Sequence, residues 1–181
     1  MVSIGDDLPK TVIFALKILL MKKLLILFLA FTLNACNDGD FDVPAFEFTE
    51  KVSICGDDVL YITSTNSTEV LVLTLPSTAI GTTPKTQSIP VSASAVITYR
   101  IFDVGIGANY FCQDIPPSEP KIVKELKADG GTINITTTEV LTNTVVTGYS
   151  HVITISNLSF NNNEERIFFE NFNFGTLTVK N

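Results

Sequence analysis

Three cysteines, a single histidine and a few adjacent carboxylates are the side chains in this 181-residue sequence from which chemistry could be built. Acyl transfer needs a nucleophile, a base to activate it and a third group to orient the base. His151 is the one imidazole. It stands in phase with Ile153 and Ile155, near a strand start or facing the edge of a core. No GxSxG or HExxH motif surrounds it, so nothing in its neighbourhood marks it as a catalytic base. A zinc centre needs more His or Cys ligands than the chain supplies. Paired carboxylates can cleave a glycosidic bond, and Asp57-Asp58 and Glu164-Glu165 are the candidates. Neighbours on a strand point to opposite faces, so neither pair can be aimed at one bond. A pairing across the fold, of the Asp57–Glu164 kind, stays open as the basis of an accessory hydrolase. No motif implies a cofactor.

Cys36 has a different context. Met21-Lys22-Lys23 is a short positive segment, Leu24 to Leu33 is apolar apart from Thr32, and Asn34-Ala35 leads into the cysteine. Ten apolar residues at 1.5 Å each are too few to span about 30 Å of hydrocarbon as a helix. The run has the length of a secretory signal core. Leu33-Asn34-Ala35-Cys36 resembles the lipobox of bacterial lipoproteins, with an aliphatic residue at −3, a small one at −1 and cysteine at +1. The resemblance implies a diacylglyceryl group on the Cys36 thiol, cleavage before that residue and a further acyl chain on the new amine. Each buried methylene contributes about 0.8 kcal/mol, so one chain binds marginally and two or three hold durably. Residues 21–35 are then the signal peptide, and residues 1–20 an over-extended gene start ahead of Met21. The competing reading is one membrane helix from Thr11 to Leu33. It would bury Lys17, Lys22 and Lys23, at roughly 2.5–3.5 kcal/mol each near the bilayer centre.

Behind the cysteine, Asp38, Asp40 and Asp42 alternate. A calcium loop starting at Asp38 would want Gly at its sixth position and Glu at its twelfth. Those positions hold Val43 and Thr49, so residues 36–43 are a solvated acidic tether. An acidic cluster at this place also resembles the export signal that sends lipoproteins to the outer face of the outer membrane in bacteria of the Bacteroidota type. The chain as a whole is similar to small surface lipoproteins of that type, of unassigned function. This implies membrane lipid as a partner through acylated Cys36 and an outer-membrane, surface-exposed location, with a periplasm-facing one as the alternative. It supplies no active site.

Seventeen of the nineteen acidic residues and eight of the twelve basic ones lie from Cys36 onward, a formal balance near −9. Phosphate backbones would repel such a chain, which argues against nucleic acid as a partner. Outside the inner membrane disulfides persist. With Cys36 spent on lipid, Cys55 and Cys112 have one possible pairing. A bridge would close a loop of about 58 residues and stabilise by about 4 kcal/mol on the chain-entropy model. The alternatives are two free buried thiols or a reactive thiol, and neither SICGDD nor YFCQDIPP offers the CxxC spacing or adjacent base that reactivity needs.

The elements that would position these residues are strands. Val59 to Thr65 and Glu69 to Leu75 are β-rich runs joined through Asn66-Ser67. The second is apolar in both phases, as expected of a strand covered on both sides. Ser77 to Pro90 carries the Gly and Pro marks of a loop. Ala95, Ile97, Tyr99 and Ile101 share one phase of the next strand. The stretch from Lys121 to Glu139 suggests a hairpin turning at Asp129-Gly130-Gly131, with Ile133 and Ile135 inward. Asn161-Asn162-Asn163 marks a further turn, and Phe168, Phe172 and Phe174 fall in one phase of the last strand. Short strands at this spacing imply an all-β, single-domain antiparallel β-sandwich over residues 44–181, Ig-like or a related Greek key or meander.

The chain has no Trp, and strand tyrosines such as Tyr61, Tyr99, Tyr110 and Tyr149 more often seal a core edge than stack on sugars. The loop ANYFCQDIPPSEP is the most distinctive, and Tyr110, Phe111, Asp114, Pro116 and Pro117 mark it as the first place to look for a binding surface. A stiff crossover between sheets is the plainer reading. The sequence thus points to an anchored, non-catalytic domain presenting a binding or structural surface, with an envelope protein or a glycan as the kind of partner left open. An accessory carboxylate hydrolase and a small-ligand-binding lipoprotein with a deep apolar cavity are the alternatives.

Overall fold

The computed structural model describes residues 46–113, 115, 117–161 and 166–181, which belong to one compact unit. Among the described residues the regular elements are all strands: β1 (Ser53–Cys55), β2 (Val59–Thr63), β3 (Glu69–Thr74), β4 (Lys85–Pro90), β5 (Val96–Phe102), β6 (Ile122–Thr142), β7 (Val145–Asn161) and β8 (Arg166–Lys180). They pair along a single antiparallel path, β1-β2-β3-β5-β6-β7-β8, with β4 set on β6. The sheet is curled into a half-barrel.

Strand β3 behaves as its composition dictates. Val70, Leu71, Val72 and Leu73 are all buried, so both faces of this strand are covered. The β2–β3 turn is held by Asn66, whose Oδ1 accepts hydrogen bonds from Ser64 Oγ at 2.8 Å, Thr68 Oγ1 at 2.8 Å and the Thr68 amide at 3.3 Å. A side chain that satisfies its own turn in this way competes with further strand pairing and ends the element.

Three expectations are corrected. The stretch from Ser77 to Pro90 is not loop throughout, because Lys85–Pro90 forms β4 against Thr132–Thr137 of β6. The strand is polar and lies at an edge, where Pro90 is tolerated. Asp129-Gly130-Gly131 is not a hairpin turn. Lys127 still pairs with Thr98 of β5, while Ala128 already pairs with Phe160 of β7, so β6 runs on and changes partners there. The glycines permit the bend: Gly131 has φ +140°, and a Cβ on Gly130 would sit 2.7 Å from Ser159 Oγ. The true turn lies at Asn143 and Thr144, with φ 50° and 68°, between the paired residues Thr142 and Val145. Two left-handed residues match the twist of a two-residue hairpin.

Phe168 is the third. It is 50% exposed while Phe172 and Phe174 are buried. Strand β7 bends at Asn157, which has φ 53°, and on the facing part of β8 the buried parity changes, so that Ile167 takes the inward position. The turn at Asn161-Asn162-Asn163 lies partly outside the described residues, as do Glu164 and Glu165; Asn161 and Arg166 on either side are cross-strand partners.

The bend in β6 lets the two limbs of the sheet face each other, and Tyr99 of β5 comes within 6.5 Å of Phe160 of β7, ring to ring. Phe46 fills the space between them. Its ring stacks on Tyr99 at 4.6 Å and approaches Phe169 at 4.9 Å and Phe160 at 5.9 Å. The residues that follow link the two ends of the sheet. The Thr49 amide donates to the Thr63 carbonyl at 2.8 Å, and Lys51 forms a parallel bridge with Thr176 of β8. Gly175 makes this approach possible. A Cβ there would lie 2.8 Å from Val52 Cγ2 and 2.9 Å from the Glu50 carbonyl. The sequence marks no element in this segment.

Burial of Phe46 should therefore carry much of the fold. Phe46→Ala is expected to cost about 3–5 kcal/mol, as for a large core aromatic, whereas Phe168→Ala should stay within about 0.5 kcal/mol. Urea unfolding midpoints of the two variants measure the difference.

Candidate functional site

The outer face of β2 and β3 is apolar and needs a cover, which the connection between β5 and β6 provides. Cys55, Tyr61, Val70, Val72, Phe102, Ile106 and Tyr110 form a second hydrophobic cluster on this side, with Val59 and Phe111 packed against it. A bulge between Ile101 and Phe102 brings Phe102 into this packing. Tyr110 meets Phe102 edge-on at 5.1 Å, and Phe111 lies 5.0 Å from Tyr61. The guanidinium of Arg100 sits 5.8 Å from the centre of the Phe111 ring, while Arg100 Nε donates to Glu125 Oε2 at 2.6 Å.

The cover is fastened twice. Cys55 of β1 and Cys112 of the loop are disulfide-bonded, with Cα atoms 4.9 Å apart, and the Tyr61 hydroxyl donates to the Ala108 carbonyl at 2.5 Å. The expected pairing of these cysteines is thus present. The loop is not a crossover between sheets, because β5 and β6 are neighbours in one sheet; it is a long hairpin connection folded back over a face. Of the residues expected to form a binding surface, Tyr110 is buried and Phe111 half-buried, both turned toward the sheet. Pro117 is half-buried. Asp114 and Pro116 lie outside the described residues, as do Cys36, Asp38, Asp40 and Asp42.

Where the cover ends, a groove of about 500 Å³ opens between the loop at Ile106–Asn109, the segment Thr49–Ile54 and the residues Tyr61 and Thr63 of β2. Its polar lining comes from Thr49, Lys51, Ser53, Thr63, Ser67 and Asn109. A second concavity, of about 360 Å³, lies at the β2–β3 turn and is lined by Glu47, Ser64, Thr65, Asn66 and Glu69. Glu69 is engaged there, since the Tyr99 hydroxyl donates to its Oε2 at 2.8 Å. Burial, together with the hydrogen bond and charge of Glu69, pushes the Tyr99 hydroxyl well above the usual tyrosine range. Sequence reasoning singled out none of Lys51, Ser53, Thr63 and Asn109; their convergence depends on β1–β2 pairing and on the cover, neither of which leaves a motif.

His151 is buried in the middle of β7, cross-strand from Thr137, with its Nδ1 3.0 Å from Thr137 Oγ1. Desolvation lowers its pKa below the usual histidine value. A neutral imidazole sharing a proton with a threonine inside a sheet is a core element, away from the groove lining. Asp57 and Asp58 lie at the β1–β2 turn beside Gly56, whose φ is +61°. Among the described residues, no three His, Cys, Asp or Glu side chains are grouped so as to hold a metal.

No protein-family model matches the chain, no curated protein matches it, and no solved structure matches it.

Two outcomes follow from this geometry. The double variant Cys55→Ala/Cys112→Ala should lose about 4 kcal/mol of stability, with limited proteolysis cutting first between residues 103 and 121. His151 sets an acid limit. Between its lowered folded pKa and the ordinary value near 6.5, the unfolded chain binds a proton that the folded chain refuses. Stability is therefore full above about pH 6.5 and falls as pH drops toward the folded pKa. Urea titrations at about pH 7.5 and about pH 5 should show a smaller acid loss for His151→Gln than for the wild type.

Proposed function

We propose that this protein is a lipid-anchored lipoprotein of the bacterial cell envelope whose β domain is non-catalytic and presents a binding surface. The observation that carries the reading is Leu33-Asn34-Ala35-Cys36 at the end of a short apolar run behind Met21-Lys22-Lys23. A ten-residue apolar core followed by a small residue and cysteine suits signal cleavage and acylation better than a span. Two or three acyl chains then give the durable attachment that one chain lacks. The acidic residues Asp38, Asp40 and Asp42 support an outer-membrane destination with the domain facing outward.

Between Cys36 and Phe46 lie nine residues, which limits the reach from the lipid to the buried ring to roughly 35 Å when fully extended. The domain is thus presented close to the membrane surface rather than on a long stalk. The two limbs of the curled sheet, facing each other across Tyr99, Phe46 and Phe160, are the sense in which a sandwich describes the domain. The groove beside the disulfide favours a binding role over a purely structural one, because it gathers polar side chains in a concavity of ligand size.

The anchor is tested directly. Radiolabelled palmitate should enter the wild-type protein and not Cys36→Ser, and protease added to intact cells should remove the β domain. Equal labelling of both proteins would overturn the anchor, and protection of the domain would reverse its orientation.

A further inference from the structure

The polar side chains of the groove differ from the hydrogen-bonded set that runs across the centre of β4, β6 and β7. In that set Thr86 lies 3.3 Å from Thr136, Ser88 donates to Asn134 at 2.7 Å, and Asn134 donates to Ser156 at 3.0 Å. In the groove, the hydroxyls of Ser53, Thr63 and Ser67, the amide of Asn109 and the ammonium of Lys51 make no hydrogen bond or ion pair to any other side chain or to the backbone among the described residues. Ile54, Tyr61 and Ile106 add apolar surface to the same lining. Hydroxyl and amide groups both donate and accept. An array of them beside apolar surface complements a pyranose, which carries hydroxyls around its rim and C–H groups on its faces. A volume of about 500 Å³ lies within the range of small-ligand sites.

Charge narrows the class. From Phe46 onward the sequence holds fourteen acidic and eight basic residues, and among the described residues that line the groove Lys51 is the one cation. With no carboxylate partner among the described residues, this ammonium beside hydroxyls is placed to receive an anionic group through a charge-assisted hydrogen bond. We propose that the groove binds a saccharide unit bearing a carboxylate, a uronic acid, with the acid group on Lys51 and the hydroxyls shared among Ser53, Thr63, Ser67 and Asn109. The inference rests on the binding role proposed above and is independent of the lipid anchor.

Methyl β-D-glucuronide and methyl β-D-glucoside differ only in the carboxylate and form the matched probes. Titrated by calorimetry and saturation-transfer NMR into the full chain held in detergent, the glucuronide should bind about tenfold more tightly than the glucoside. Lys51→Met, with an unchanged unfolding midpoint, should remove the preference, and Thr63→Val should weaken both ligands. In the wild type the preference should shrink as salt is added, because the contact is partly solvated. Three results would each overturn the inference: no saturable binding of either probe, equal binding of both, or a preference that survives in Lys51→Met and in high salt. None of them bears on palmitate labelling at Cys36, so a failed ligand and a failed anchor are told apart.

Discussion

Strand β3 is apolar on both faces, and a single sheet can bury only one face against itself. That constraint shapes the rest of the domain. Leu71 and Leu73 are buried on the inner side by curling the sheet, while Val70 and Val72 are buried on the outer side by chain that belongs to no strand. Leaving either face open would return several large aliphatic side chains to water, at roughly 1.5–3 kcal/mol each. The half-barrel and the folded-back loop are two solutions to one problem, applied on opposite sides of the same six residues.

Curling has its own requirements. A long strand must leave one set of partners and join another, and β6 does so at Gly130-Gly131, where close approach to Ser159 and a left-handed φ both exclude a side chain. Bulges and glycines at such corners increase local twist and re-aim the strand. Curling also leaves a seam between the first and last strands. The seam is bridged through Lys51 and Thr176, Gly175 gives the crossing chain its room, and Phe46 just ahead of it packs between the two limbs. Phe46 adopts φ 48°, a conformation rare for a bulky residue. Its four close ring partners, Phe48 among them, hold it there.

What was legible in the sequence was whatever depends on near neighbours along the chain. Composition and alternation located β2, β3 and β5 and the inward pair Ile133 and Ile135; His151, expected near a strand start or at a core edge, is instead buried in the middle of β7 because that strand begins earlier, at Val145. The disulfide was legible by arithmetic, since two cysteines allow one pairing. What was missed depends on partners distant in sequence. Strand β4 is polar and has no signal of its own; Thr132–Thr137 make it a strand. Asp-Gly-Gly has the composition of a turn, and only the arrival of Phe160 opposite Ala128 shows that the strand continues. Asn143-Thr144 turns the chain without the glycine that usually announces such a turn. Tyr110 and Phe111 were expected on a binding surface, but their direction is set by the apolar outer face of β3, which draws both rings inward.

The groove is a consequence of how the cover is fastened. The disulfide and the Tyr61–Ala108 hydrogen bond hold the loop over the apolar part of the outer face, and nothing apolar draws it further, because the next side chains on β1 and β2 are Ser53 and Thr63. The loop therefore stops where the hydrophobic surface stops, and its margin stands above a polar strip. A cover dictated by stability thus creates a concavity whose walls are chemically different, apolar where the packing ends and hydroxyl-bearing where the bare sheet begins. That asymmetry is what an amphipathic ligand requires, and the same covalent bond that stabilises the domain fixes the distance between the two walls.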